Sequence, residues 1–309
     1  MSRPFDRARY EALLEGLDVI VIRKSELENE FTIGAEYYSQ EFVQSLAKLR
    51  KSKAKMAYLA DICMLITDGD HGSSDYVSEG VPYILSEAVQ KGWIEKHALR
   101  FITNERHASL PRSILKPGDV IVTKTGVYFG KSAVIPEEIS EANTIAHVGK
   151  LSVKPGAINP YFLSTFLNSR FGYHQLRRRG IKATRPEIKL IEFQEIEVPL
   201  LTPEFQRGIE AAIRHALAIL QNSHTAVIEA EQTLLRALGL EGWQPPEPLS
   251  YTRCASEVFA AGRLDAEHYK QKFYAAKERL KEAGAHAFIP LDELLTLITN
   301  GHMTPRNAS

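Results

Sequence analysis

Residues 202–239 read TPEFQRGIEAAIRHALAILQNSHTAVIEAEQTLLRALG. Thr202 supplies an N-cap hydroxyl, Pro203 fits the first helical position and Glu204 puts a carboxylate in the first turn. Gly208 is the one interior glycine, no further proline intervenes, and Gly239 supplies a stop. Ile209, Ile213, Ala216, Leu220, Ser223, Val227, Ala230, Leu234 and Ala237 keep a strict four–three spacing, which is the seam of a coiled coil. The spacing predicts one helix over 203–238, roughly 50 Å long at ~1.5 Å per residue. A domain of 150–200 residues is only about 35 Å across, so part of this helix needs a partner beyond its own domain. Ile209, Ile213, Ala216, Leu220, Val227, Ala230 and Leu234 are the expected helix interface. Packing of the whole stripe on its own domain is the competing reading.

The sequence on the two sides of this helix is related. Ser25-Glu26-Leu27, Ala35-Glu36-Tyr37-Tyr38, Phe42 and Leu49 recur as Ser256-Glu257-Val258, Ala266-Glu267-His268-Tyr269, Phe273 and Leu280, 231 positions later. Leu59 and the run Ile66-Thr67-Asp68-Gly69 recur 232 positions later as Leu291 and Ile298-Thr299-Asn300-Gly301. The offset returns to 231 at His71 and His302, because Asp70 has no partner. A period this long means two similar domains rather than a solenoid. The expected organisation is a domain over 1–200, a spacer helix over 201–240, a proline-rich linker over 241–255 and the opening of a second, truncated domain over 256–309. The fold class read from the sequence is α+β, with mixed, strongly twisted β-structure, flanking helices and a long coiled-coil-forming helix.

Within the first domain, Val19-Ile20-Val21-Ile22 is a short strand candidate. Tyr38, Phe42, Leu46 and Leu49 predict a helix over 36–53. Residues 81–85, 120–123, 133–135 and 148–153 read as strands between Gly, Pro, Asn and Asp turns. A helix is expected over 161–172 and a last strand over 196–200. Composition is that of a globular chain, 44% hydrophobic and 25% charged. It has neither an apolar run long enough to span a bilayer nor an apolar leader, so the cytoplasm is the expected location. Cys63 and Cys254 stand far apart, which excludes a disulfide framework, and both read as buried thiols.

Two motifs invite catalytic or metal readings and fail. Residues 124–132 approach a phosphate-binding loop, but three residues rather than four separate Gly126 from Gly130, and strand rather than helix follows. A hairpin with a glycine-rich turn is the better account. Residues 68–79 approach a calcium loop, yet Gly72 and Ser73 replace a ligand and the required glycine. The ten histidines show no zinc-enzyme spacing, and no nucleophile or dinucleotide motif is present. The expectation is a non-catalytic chain with no metal and no cofactor.

The charge total is neutral, 38 basic against 38 acidic residues. Local patches matter more than totals. Arg170, Arg177, Arg178, Arg179, Lys182, Arg185 and Lys189 stand together with Glu187 the single acid. Guanidinium groups bind phosphate bidentately and read guanine edges. Arg177, Arg178, Arg179, Lys182, Thr184 and Arg185 are therefore candidate DNA contacts. So are Lys124, Thr125, Tyr128 and Lys131 of the glycine turn, and Gly69, His71, Ser73 and Ser74 of the Asp-Gly turn.

In combination these pieces resemble the DNA-specificity (S) subunit of type I restriction–modification enzymes. The resemblance lies in the turn over 66–72 followed by Pro82-Tyr83-Ile84-Leu85, and in Leu115-Lys116-Pro117-Gly118-Asp119-Val120 leading into residues 124–132. Asn159-Pro160-Tyr161-Phe162-Leu163, Val198-Pro199-Leu200-Leu201-Thr202 and the heptad helix complete it. Their order, across essentially the whole chain, carries the resemblance. It implies a target-recognition domain and spacer helix, repeated, in which each domain reads half of a split sequence in double-stranded DNA. It also implies docking to methyltransferase (M) subunits and, through them, to the nuclease/translocase (R) subunit. A lone unit could instead pair its long helix with that of a second copy. A non-DNA assembly module using the heptad helix is the alternative.

Overall fold

In the computed structural model, residues 6–17, 19–28, 33–72, 75–180, 185–282, 289 and 291–295 are described. The chain divides into two compact units, Met1–Ala218 and Ile219–Ser309. Among the described residues the helices are α1 Arg7–Leu13, α2 Gln40–Arg50, α3 Leu59–Ile62, α4 Asn104–Ala108, α5 Pro160–Asn168, α6 Arg170–Gly180, α7 Leu190–Gln194, α8 Pro203–Ala237, α9 Ala255–Ala261, α10 Gln271–Glu282 and α11 Leu291–Leu294. The strands are β1 Lys55–Tyr58, β2 Cys63–Asp68, β3 Val81–Ile84, β4 Arg100–Ile102, β5 Val120–Thr123, β6 Ser132–Val134, β7 Asn143–Thr144, β8 Val148–Val153 and β9 Glu197–Leu200. The class is α+β with a long helix, as the sequence predicts. Among the described residues no helix is long and apolar enough to cross a membrane.

The central sheet of the first unit has the order β2-β8-β5-β6, every neighbour antiparallel. Val120-Ile121-Val122 is apolar on both faces of β5, so β5 must be covered on both sides. Val120 and Val122 enter one core with Leu46, Leu49, Leu163, Leu167, Leu176 and Phe193, which come from the helices. Ile121 enters a second core with Ile84, Val89, Leu115, Ala133, Ile135 and Val148. A three-stranded sheet, β4-β3-β7, pairs β3 antiparallel with β4 and parallel with β7. A third sheet joins β1 to β9, so the last strand of the domain closes onto the first.

Three sequence expectations need correction. Residues 19–22 form no strand: among the described residues none supplies them with ladder hydrogen bonds, and Val21 is exposed. The helix expected over 161–172 ends at Asn168, where Ser169 turns to extended backbone, and a second helix starts at Arg170. The first part of the basic segment, with Arg170, Arg177, Arg178 and Arg179, is thus helix α6. Cys254 is exposed, whereas Cys63 is buried and burial pushes its thiol up to about 12. An aromatic disulfide reagent is therefore expected to titrate Cys254 rapidly in the folded chain and Cys63 only after unfolding. Two equally fast thiols would contradict that environment for Cys63.

The base of α8 is clamped to the first unit. Gln206 is buried and accepts from the Asn159 backbone at 2.8 Å, while Asn159 Nδ2 donates to Glu210 at 2.6 Å. Arg214 bridges Glu210 and Glu137 at 2.8 and 3.0 Å. Ile209, Ile213 and Leu217 pack against the helix-side core. Ile209 and Ile213 are therefore domain contacts rather than a free helix interface, because the first turns of the seam meet their own domain. Farther along, Val227 and Leu234 are exposed, as is Ala230, while Leu220 is half-buried; Ala216 is also exposed.

The second unit repeats the opening of the first in structure. Helix α10 begins at Gln271, 231 residues after the start of α2 at Gln40. Helix α11, Leu291–Leu294, matches α3, Leu59–Ile62, at the offset of 232. Tyr269, the partner of Tyr38, is buried like it, and its hydroxyl donates to the Arg263 carbonyl at 2.9 Å. The repeated run over 298–302 lies outside the described residues.

Candidate nucleic-acid interface

Three candidate segments that are remote in sequence meet in the first unit. Residues 124–131 form the connection of the β5–β6 hairpin, with Gly126–Tyr128 as a single 3₁₀ turn. This is the hairpin expected from the failed phosphate-loop spacing. Gly126 and Gly130 both have left-handed backbones, φ 79° and 82°, which L side chains rarely adopt. The hairpin lies on α6. A Cβ at Gly130 would sit 2.8 Å from the Tyr173 ring, and one at Gly180 would sit 2.5 Å from the Phe129 ring. The chain after α6 continues along the same hairpin: Gly126 donates to the Pro186 carbonyl at 3.0 Å and Ile188 to the Lys124 carbonyl at 3.0 Å.

The Asp-Gly turn joins them through Asp68 at the end of β2. Its carboxylate lies 3.2 Å from Lys124 Nζ, 3.1 Å from the Arg112 guanidinium and 3.5 Å from His71 Nε2. Asp68 and Lys124 are both buried, whereas Arg112 and His71 are exposed. Asp68 thus holds one buried cation, Lys124, and one exposed cation, Arg112, with the His71 ring beside it. Asp70 is committed to the Arg106 guanidinium and accepts from the Gly72 backbone at 3.1 Å. These bonds occupy the carboxylates that a calcium site would need.

Helical phase splits the arginine triplet. Tyr173, Arg177 and Gly180 share the α6 stripe that meets the hairpin, being four and three residues apart. Arg177 is half-buried on that stripe and Arg185 is exposed beside the turn, its guanidinium against Gly126. Arg178 and Arg179 point inward and are corrected as DNA contacts. Arg178, 3% exposed, pairs with Glu28 at 2.8 Å and stacks on Tyr37, 4.1 Å from its ring centre. Burial raises the Tyr37 phenol above its ordinary range, partly offset by the two arginines. Arg179 donates to the Glu195 carbonyl at 3.2 Å and lies near its carboxylate.

Lys124 and Thr125 are likewise internal, Lys124 because Asp68 and Glu187 hold it and Thr125 because it pairs in an isolated bridge with Glu187. Gly69 presses against the backbone of residues 144–145. Lys131 is half-buried and donates to Gln90 at 2.7 Å, its ammonium 5.0 Å from the Tyr128 ring centre. His71, Tyr128, Lys131, Arg177 and Arg185 remain at the surface. Ser73, Ser74, Lys182 and Thr184 lie outside the described residues. Sequence reasoning missed Arg112, which sits in a short turn with no periodicity, and the organising role of Asp68, which was weighed only as a metal ligand.

No family model and no curated protein matches the chain. Solved structures do. One belongs to a study of assembly and conformational transition in a type I restriction–modification system; it is 19% identical over 65% of this chain and 52% of that one, with a TM-score of 0.41. The type I S subunit from M. genitalium is 18% identical over 63% and 48%, with a TM-score of 0.43. The HsdS subunit from Thermoanaerobacter tengcongensis is 17% identical over 59% and 44%, with a TM-score of 0.40. The chain spans about half the length of the proteins it is similar to.

Proposed function

We propose that this chain is a non-catalytic DNA-recognition subunit of a type I restriction–modification system. The observation that carries the reading is the meeting of three segments remote in sequence around Asp68 and the β5–β6 hairpin. Arg112, Lys131, Arg177 and Arg185 contribute cations around this surface, backed by buried ion pairs that hold the framework. Phosphate contacts from such cations position a protein on the duplex, and a few base contacts specify the site. The first unit would read one half of a split target. The distal half of α8, with Val227 and Leu234 exposed, would dock methyltransferase subunits, and the nuclease/translocase subunit through them; it could also pair with a second copy. Base-flipping chemistry then belongs to the methyltransferase partner.

The same exposed stripe favours a second reading, an assembly module that has no DNA target. Selection from a random double-stranded DNA pool, with methyltransferase subunit present, separates the two. Enrichment of a short half-site supports DNA recognition; intact docking without enrichment supports the assembly module. Phosphate contact has its own signature. The Arg177→Ala/Arg185→Ala double variant is expected to flatten the dependence of log affinity on log salt by about 1.8, roughly 0.9 for each lost contact. An unchanged slope would remove both arginines from the interface.

A further inference from the structure

The β5–β6 turn presents one side chain that the fold does not use. Val127 is 95% exposed, at the tip of the 3₁₀ turn. A single exposed aliphatic residue is ordinary on a protein surface. This one differs in how its backbone is held. Gly126 donates to Pro186 at 3.0 Å, Phe129 donates to Gly126 at 3.1 Å and Gly130 donates to Thr123 at 2.8 Å. The Thr123 hydroxyl bonds the Tyr128 carbonyl and accepts from the Lys131 backbone at 2.9 Å. Phe129, two residues on, is buried against Gly180, and Gly130 is wedged under Tyr173. Both ends of the tip are therefore anchored, and Val127 stands on a braced turn rather than a loose one.

Its surroundings indicate what it meets. The Arg185 guanidinium lies against Gly126. At the residue after Val127, Tyr128, which is itself partly exposed, the Lys131 ammonium sits over the ring. An apolar tip whose two neighbours in the turn each carry a cation suits a DNA groove, which offers phosphates at its rims and base edges at its floor. The short aliphatic side chain suits the thymine methyl group or a wedge against a base step, contacts that read sequence. Resting on the DNA-recognition reading above, we propose that Val127 is a specificity-determining residue that touches a base, with Arg185 and Lys131 placing it by their phosphate contacts.

The test uses the full chain with its methyltransferase partner on random DNA pools and compares the parent with Val127→Ser. The exposure of Val127 predicts an unchanged urea midpoint. The salt slope is expected to stay as in the parent, since no charge is altered. Discrimination at one position of the selected half-site is expected to fall roughly tenfold, within the range for one base-pair contact. A Val127→Ser profile identical to the parent at every position overturns the tip proposal and leaves DNA recognition standing. A parent that enriches no half-site overturns both.

Discussion

Arg178→Ala is expected to lower the stability of the first unit by about 3–5 kcal/mol, the range for breaking a buried ion pair from one side. The side chain is inaccessible and its guanidinium serves two partners at once, Glu28 at 2.8 Å and the face of Tyr37 at 4.1 Å. Truncation strands the Glu28 carboxylate, which also accepts from the Tyr37 hydroxyl at 3.0 Å. It also opens a void between α6 and the turn that carries Tyr37 and Tyr38. Glu28 is about one-third exposed, so water screens part of the loss and places the effect toward the lower end of the range. Arg177→Ala, one residue away, is expected to change stability by less than about 1 kcal/mol. Urea midpoints for the two variants check this. Equal midpoints would mean that the triplet is a uniform surface patch after all.

That contrast marks the boundary of what the sequence discloses. Period and punctuation were enough for β5 and α8, because each is defined by its own spacing: an apolar run after a Pro-Gly-Asp turn, and a four–three stripe with a cap and a stop; the helix expected over 36–53 is confined to Gln40–Arg50, with Glu36–Tyr38 a separate 3₁₀ turn. The period of the repeat was legible, and α10 and α11 start at offsets of 231 and 232 from α2 and α3. The orientation of the basic run was not. Seven cations in twenty residues hide a helical period, and the phase of α6 is set by neighbours from distant sequence: Tyr37, Glu195 and the hairpin. The break at Ser169 was hidden for a related reason. Ser169 Oγ donates to the Phe166 carbonyl at 2.6 Å, a local bond that competes with helix continuation. A Cβ at Gly172 would lie 2.3 Å from that same carbonyl. Likewise, residues 19–22 have strand composition, but a strand exists only where another strand accepts its hydrogen bonds. The candidate contacts of the two turns and of the basic run divide alike: His71, Tyr128, Lys131, Arg177 and Arg185 stay at the surface, whereas Gly69, Lys124, Thr125, Arg178 and Arg179 are buried.

Gly69→Ala is expected to cost about 3 kcal/mol or more, at or beyond the upper end of ordinary overpacking. The reason is steric and local. A Cβ at Gly69 would lie 2.2 Å from the Thr144 carbonyl oxygen and 2.4 Å from that of Ile145. These are backbone atoms and cannot rotate aside. Yielding would pull apart two short bonds that lace the turn to this segment, Asp70 N–H to Thr144 at 2.8 Å and Ala146 N–H to Asp70 at 2.7 Å. It would also disturb the Thr144 hydroxyl, which donates to Ile84 at 2.6 Å and ties the turn to β3. Gly72→Ala is the control: among the described residues its Cβ would meet the ends of two side chains, Arg106 at 3.2 Å and Asp70 at 3.4 Å, and no backbone, so little change is expected. Because Asp68 precedes Gly69 and holds Lys124 and Arg112, the proposed DNA-recognition function predicts that a shifted turn also weakens DNA affinity beyond its effect on folding. Denaturant midpoints and affinity measured on the folded fraction separate the two losses. The repeat bears on the cause. The second copy keeps the glycine, as Gly301, while replacing Asp68 by Asn300. A steric requirement for close backbone approach predicts that pattern, whereas a shared charged ligand site would have kept the acid. If Gly69→Ala folds with the parent's midpoint, the close approach at Thr144 is wrong, and this reading of why the glycine recurs fails with it.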